Sequence, residues 1–586
     1  MNRTRASLMV MLMPAVLALA ATGRADAQQR RSPIRADGTI DYNRYYNAAE
    51  TNQILAAWAR RFPALTKLYS IGKSYKGQEL MLIEVTNEAT GPADAKPALY
   101  LDGGIHAGEL TGSAVATYVL GKLLFGYGKD DRITRLLDTR AVYIRPKFNP
   151  DGSDLSLAKD EKLRSSVHPF DDDGDGIADE DPPDDLDRDG RITQMRVRSP
   201  DGEWTLDAAD PRIMRRRTPN DTQGPFFIVN TEGVDNDRDG RFNEDGVGGL
   251  DMNRNFPRNW ERQHIQDGAG SFPLSEPETR ATVDFLDARA NITSIVHGHT
   301  SGGFVYRLPS ASDPAAFDKV DLALIEDMGR VYTESTGRPV QPSSTHPTDH
   351  RYGTLISWGY WDRGVIGWVP EYVPADSWIT DYDADGRIGE AERLRFNDEE
   401  LGGRYYTNWT RYAHPQLGEV EVGGWFRTFW GQNPPAEHLE KECAQQIHWI
   451  LWLLEQSPLL AVGTPAVRAI DNDRFRVEVT ISNTGFLPTN MTERGHAGRA
   501  LENGTLVDQV VKPPFAILEV TGGEIEGPAR ARVGHLAGTS TYSTVVKERS
   551  QTVSWIVRRT AREMTVRVST APGPGGVARS EPVVLR

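Results

Sequence analysis

Between about residue 40 and residue 457 the chain alternates apolar runs of strand length with longer stretches of helical period. KGQELMLIEVTN, PALYLDGG, AVYIRPKFNPDG, ITSIVHGH and GVIGWVPEYV read as strands. TNQILAAWARRFPALTKL, SAVATYVLGKLLFGYG and AEHLEKECAQQIHWILWLLEQ read as helices. Such alternation leaves few architectures open, because each strand must return past a helix before it can pair again. It predicts an α/β fold, a mixed and mostly parallel sheet flanked by helices. From about Pro458 the texture changes to short β-rich runs, RFRVEVTISNTG, AILEVTGGEI, TVSWIVRRT and MTVRVSTAP, separated by Gly, Pro and Asn. That predicts a C-terminal all-β sandwich over residues 458–586, with no catalytic cluster of its own. A chain of 586 residues exceeds one core, so several domains are expected.

The first residues carry an address. Arg3 and Arg5 precede an apolar stretch from about Leu8 to Ala21, and Ala25-Asp26-Ala27 supplies an A-x-A cleavage site. Residues 1–27 are therefore expected to be a signal peptide and the protein to be exported, periplasmic or extracellular. A membrane anchor is the competing reading, disfavoured by the short apolar stretch. No later segment is long and apolar enough to span a bilayer, so no stable membrane insertion is expected after signal removal. Cys443 is the single cysteine, which excludes an internal disulfide, and its helical setting reads as core. A formal charge of −15 argues against nucleic acid as a partner.

Acidic stretches interrupt the first block at 171–192, 235–245 and 381–392. Their shared unit is D-x-D-x-D-G, in which alternating carboxylates converge once the chain turns at Gly, as in calcium loops. The stretch at 381 is the most complete, with Asp381, Asp383 and Asp385, Gly386 at the turn and Glu392 in the twelfth position. Asp185/Asp187/Asp189, Asp235/Asp237/Asp239 and Asp171/Asp173/Asp175 carry the first half without the final Glu. Structural Ca2+ is expected in these loops; solvated acidic surface is the alternative.

The remaining signal is GGIHAGELTG, where His106 and Glu109 stand three residues apart just after a strand. Zinc takes imidazole and carboxylate donors, and a catalytic site uses three protein ligands. His106 and Glu109 offer two. A third ligand is expected from another strand end, because sites in open α/β sheets lie beyond the carboxyl ends of the strands. SIVHGHTSGG offers His297 and His299, which strand periodicity does not separate.

Taken together, HAGE, NPDG, LDMNRNFPRNW, HTSGGFVYRLP and GVIGWVPEYV occur in an order that resembles the zinc carboxypeptidases of peptidase family M14, over roughly residues 40–457. The resemblance implies His106, Glu109 and His299 as zinc ligands, with His299 rather than His297. It implies Arg164 as the group polarising the scissile carbonyl and Asn253 and Arg254 as ligands of the substrate carboxylate. Asp251 would orient a zinc-bound His, and Glu371 would be the catalytic glutamate. Two departures stand out. Asp349 occupies the position where the family often carries a mobile tyrosine, for which Tyr352 is the nearest substitute, and the acidic inserts are absent from the simplest members. By the same alignment Ile356 floors the side-chain pocket, which favours hydrophobic C-terminal residues. The implied activity is removal of C-terminal residues from peptides or proteins. A cell-wall muropeptide hydrolase and a non-catalytic peptide-binding protein on the same scaffold are the rival expectations.

Overall fold

The computed structural model describes residues 32–172, 174–313, 317–344, 346, 348–500 and 506–586. The expected signal segment and Asp173 lie outside them. Contacts divide the chain at Asp41, and residues Tyr42–Arg586 form one compact unit. In the short first unit, Ile34 and Ile40 make an isolated antiparallel bridge.

The principal sheet of the large unit has eight strands: β1 (Thr66–Lys73), β2 (Glu79–Val85), β3 (Ala98–Gly103), β4 (Ala141–Arg145), β5 (Ile292–Thr300), β6 (Phe304–Arg307), β7 (Val340–Pro342) and β8 (Ile366–Tyr372). Their order is β1-β2-β4-β3-β5-β8-β6-β7. The four central strands, β4, β3, β5 and β8, are mutually parallel, and β1, β2 and β6 join antiparallel. All residues of β3, β4 and β5 are buried, as strands covered on both faces must be, which is why they read as unbroken apolar runs. The helix Leu110–Gly126 buries most of its length against β3 and β5. The expected mixed, mostly parallel sheet flanked by helices is present.

Two readings of the sequence are corrected. The first helix spans Ala48–Arg61, not the whole run to Leu68; Asn47 and Glu50 close its capping box, Phe62-Pro63 ends it, and β1 begins at Thr66. The NPDG turn does more than turn. Asn149 accepts from the amide of Gly152 and caps the helix Pro150–Lys159, with Pro150 in its first turn.

The segments that flank the acidic stretches build a second, six-stranded antiparallel sheet that the sequence did not announce. Its strands run in the order Tyr406–His414, Gly418–Trp425, Gln194–Arg198, Phe226–Thr231, Trp204–Leu206 and Met214–Arg216. The stretch 171–192 leads into Gln194 and the stretch 235–245 follows Thr231. Beyond residue 458 two more sheets pack face to face. Val477, Val479, Ile481, Trp555 and Val557 of one share a core with Leu518, Val566 and Val568 of the other. This region is pinned to the α/β block: Thr492 donates to Gly364 O at 2.9 Å, and the amides of Glu493 and Arg494 donate to Asp321. Cys443 is buried, as expected.

Candidate metal centre and active site

The central strands β3, β5 and β8 are parallel, so their carboxyl ends open on one side of the sheet. The chain leaves β3 at Gly103, passes His106, and enters the helix Leu110–Gly126 with Glu109 as its N-cap. This tight path explains the glycines of GGIHAGELTG. A Cβ on Gly103 would stand 2.2 Å from the carbonyl carbon of Gly112, and one on Gly112 would stand 2.5 Å from Gly298 O. Only glycine at these positions lets the helix start close enough to β3 and β5 to bring Glu109 beside β5. The Glu109 side chain makes no capping bond and turns to the imidazoles.

His106 Nδ1 lies 2.7 Å from Glu109 Oε1, His299 Nδ1 lies 2.9 Å from Glu109 Oε2, and the two Nδ1 atoms are 3.1 Å apart. All three residues are buried. Burial, with His297 and His106 nearby, pushes His299 down to about 3, so its imidazole is neutral near pH 7. Burial raises Glu109, but His106 and His299 outweigh it and hold the carboxyl below the usual range. For His106, burial and Arg164 press downward, while Glu109 and Asp251 prevail and raise it. His106 Nε2 faces Asp251 Oδ1 at 3.1 Å, which holds a proton on Nε2 and makes Nδ1 the nitrogen that a metal ion would take once the ring is neutral. Donors around a zinc ion at about 2.0–2.1 Å stand roughly 3.3 Å apart in a tetrahedron. Two imidazole nitrogens and a carboxylate at 2.7–3.1 Å fit that ion in chemistry and, with slight expansion, in spacing. His297 lies on the same face of β5 but deeper, fully buried, with Nδ1 2.6 Å from Asp102 Oδ1. The structure brings His299, not His297, to the cluster.

The implied neighbours gather around it. Arg164 Nε donates to Asp251 Oδ2 at 2.9 Å, its Nη2 reaches the same oxygen at 2.7 Å, and Nη1 lies 3.2 Å from His106 Nδ1. The segment before Arg164 is fixed by Gly108 N donating to Leu163 O, and the segment after it by Asn149 Nδ2 donating to Ser165 O. Asn253 Nδ2 lies 3.4 Å from His299 Nε2, and Asn253 Oδ1 accepts from Leu355 N. Arg254 Nη1 donates to Asn253 O. Sequence reasoning missed Asn433, whose Oδ1 accepts from Thr111 N and whose Nδ2 donates to Gly108 O, clamping both ends of the Glu109 turn. An isolated Asn in GQNPP carries no signal of that role.

Glu371 stands opposite His299 in the pairing of β5 and β8. Burial pushes its carboxyl well above the usual range and Glu109 adds to this, against Arg164 and Arg351. A cavity of about 300 Å³ joins His106, His299, Glu371, Arg164, Asn253 and Arg254. Ile356 and Val369 form an apolar part of its wall, and Asp349, Arg351 and Tyr306 a polar part. Tyr352 is not among the lining residues; its ring stacks on His350 and its amide donates to Gln266. The tyrosine that does line the cavity is Tyr306, brought there by the antiparallel pairing of β6 with β8, with Arg351 over its ring at 4.7 Å.

The acidic loops share one hydrogen bond. The first Asp accepts from the amide of the Gly five residues on in each: Asp171 from Gly176, Asp185 from Gly190, Asp235 from Gly240 and Asp381 from Gly386. Carboxylate oxygens approach one another in Asp185/Asp187/Asp189, Asp235/Asp237/Asp239 and Asp381/Asp383/Glu392. Asp385 accepts from Arg387 N, and Asp175 gathers with Glu180 and Asp237.

Comparison with known proteins bears on the α/β block. A family model described as zinc carboxypeptidase (Peptidase_M14) matches residues 51–371, and one described only as a domain of unknown function matches residues 459–581. Carboxypeptidase D of Mus musculus is 34% identical over 149 residues, covering 23% of this chain and 11% of that protein. Carboxypeptidase A1 of Sus scrofa is 22% identical over 341 residues, covering 57% of this chain and 61% of that protein. The chain thus spans less than two thirds of these relatives' length. Among solved structures, thrombin activatable fibrinolysis inhibitor aligns with a TM-score of 0.44 at 16% identity over 75% of this chain and 80% of that one. Carboxypeptidase A from Helicoverpa armigera aligns with a TM-score of 0.39 at 15% identity, over 63% and 73%. With a family match across more than half its length, the chain belongs to the zinc carboxypeptidases of peptidase family M14.

Proposed function

We propose that the protein is a zinc-dependent carboxypeptidase that hydrolyses the C-terminal peptide bond of peptides or proteins. One observation carries this reading: both Nδ1 atoms meet the Glu109 carboxylate, and the two histidines line a cavity that also holds Glu371, Arg164 and Arg254. His106, Glu109 and His299 would hold the zinc ion, which when bound would supply a Lewis acid and a water of pKa about 7. Asp251 keeps the proton on His106 Nε2. Glu371 accepts the proton of the attacking water on its carboxylate and delivers it to the leaving nitrogen. Arg164 shares the charge that develops on the carbonyl oxygen, a role worth about 2.7–4 kcal/mol where one such donor is removed. Arg254 offers a planar fork to the substrate's terminal carboxylate. Ile356 and Val369 provide apolar contact for the terminal side chain, whereas Asp349 and Arg351 add polar contact.

Export is part of the proposal and rests on the amino-terminal segment. No helix among the described residues is long and apolar enough to cross a membrane. A structural calcium in the 381–392 loop is supported by the approach of Asp381, Asp383 and Glu392. The test is hydrolysis of N-blocked dipeptides with a free carboxyl end against their C-terminal amides, with muropeptides in a parallel arm. Zinc-dependent release from the free acids alone is expected. Equal cleavage of the amides, or cleavage of muropeptides alone, would overturn the exopeptidase reading.

A further inference from the structure

Two of the acidic stretches are one motif used twice. D-x-D-x-D-G-x-x-x-E-D runs from Asp171 to Asp181 and again from Asp235 to Asp245. The two copies interlock through their closing Glu-Asp pairs. Asp181 Oδ1 accepts from Asn236 N at 3.0 Å and its Oδ2 from Asn243 N at 2.9 Å, while Asp245 Oδ1 accepts from Asp172 N at 3.3 Å. Asp181 N also donates to Asp245 O at 3.1 Å. Asp181 and Asp245 are both 0% exposed. The glutamates cross in the same way, Glu180 against the Asp245 carboxylate and Glu244 against Asp181.

This crossing leaves an excess of buried acceptors. Asp245 Oδ2 and both carboxylate oxygens of Glu180 and of Glu244 are shielded from solvent and receive no hydrogen bond. Oxygens of Asp175, Glu180 and, from the other copy, Asp237 lie within 4.8 Å of one another. Carboxylates buried face to face without a compensating positive charge are costly. The donors are all hard oxygens, several of them charged and set on loops, a combination that suits Ca2+ better than the more rigid, water-retaining Mg2+.

We propose that the two loops together hold calcium in a shared site, with Asp175, Glu180 and Asp237 as ligands and the buried Asp245 behind Glu180, and that this ion locks the segment carrying Arg164 to the segment carrying Asp251. The connections are short. Asp179 Oδ1 accepts from Phe170 N at 3.2 Å and from Gly248 N at 2.9 Å, tying the first loop to both segments. Ser166 N donates to Leu250 O at 2.8 Å, between the loops and the Arg164–Asp251 ion pair. The rival arrangement is a proton shared within each acid pair; Asp245 beside it pushes Glu180 up to about 7.

The ion site stands apart from the peptidase reading, and the coupling to Arg164 rests on it. The test uses the full-length, zinc-loaded protein freed of calcium and titrated with CaCl2, or with MgCl2 as control. Calcium binding is read by calorimetry, stability by thermal unfolding and catalysis by kcat and KM at constant zinc. In the wild type, calcium but not magnesium is expected to raise Tm by at least about 3 °C and to raise kcat about tenfold through the placement of Arg164. The double variant E180Q/E244Q is expected to bind fewer calcium ions than the wild type, whereas D381N keeps the ion shared by the two loops. Equal calcium uptake by E180Q/E244Q and wild type, or no calcium response in the wild type, would overturn the site. Calcium lost from E180Q/E244Q with kcat unchanged would overturn the coupling. A calcium-binding protein without peptidase activity in any state would instead sink the peptidase reading.

Discussion

Asp251 offers a sharp test because its two oxygens serve different partners. Oδ1 accepts from Asn253 N at 2.8 Å and faces His106 Nε2 at 3.1 Å. Oδ2 takes both contacts from Arg164, at 2.9 and 2.7 Å. In Asp251→Asn the amide oxygen can keep the first position, which preserves the His106 tautomer. The amide nitrogen then faces the Arg164 guanidinium, donor against donor, and displaces it. Asp251→Ala loses both sets of contacts. Loss of a carboxylate that orients a zinc-bound His typically costs 10–100-fold in metal affinity, or about 1.4–2.7 kcal/mol. Loss of a donor to the developing oxyanion costs about 10²–10³-fold in rate. Asp251→Asn should therefore lose less than about tenfold in zinc affinity but about 10²-fold in kcat/KM at saturating zinc. Asp251→Ala should lose about 10–100-fold in affinity as well. Affinity is measured by chelator competition, and kcat/KM on an N-blocked dipeptide with excess zinc. If Asp251→Asn weakened zinc as much as Asp251→Ala and left kcat/KM intact at saturating metal, the division of labour between the two oxygens would be wrong.

Two further outcomes follow from the same geometry. His106 is held above its ordinary pKa by Glu109 and Asp251, against burial and Arg164, so below that raised value its imidazole carries a proton that zinc must displace. Calorimetric titration with zinc in buffers of different ionisation enthalpy should show release of about one proton per ion at pH 6, falling toward zero as pH rises above the His106 value; release independent of pH would contradict this. Gly112→Ala sets a Cβ 2.5 Å from Gly298 O, and should lower stability by about 1–3 kcal/mol and weaken zinc binding by shifting Glu109. A variant with wild-type denaturation midpoint and zinc affinity would show that the close approach of helix to sheet is not needed.

The sequence disclosed the sheet and two of the ligands for local reasons. β3, β4 and β5 are buried on both faces and read as apolar runs, and His106 and Glu109 lie within one short turn. His297 and His299 share a face of β5, so alternation did not separate them; depth along the strand does, and depth follows from where β3 and β5 end. Glu371, Arg164 and Asp251 were legible only through family resemblance, because each reaches the site from a distant segment. Tyr306 was missed at the cavity because its position depends on the antiparallel pairing of β6 with β8, and Arg351 because it reaches the cavity from a loop, over the Tyr306 ring. The insert sheet was hidden because strands such as QMRVR and FFIVNT are short and flanked by charge. The acidic motif was visible, but its doubling became meaningful only when Glu180 and Glu244 were seen to cross between copies.

Anomalous diffraction at the zinc absorption edge, on crystals of the zinc-loaded protein, bears most directly on the central assignment. The account predicts a single strong peak at coordination distance, about 2.0–2.2 Å, from Nδ1 of His106, Nδ1 of His299 and the carboxylate of Glu109. A peak on His297, coordination through Nε2 of His106, or no peak among these three side chains would contradict it.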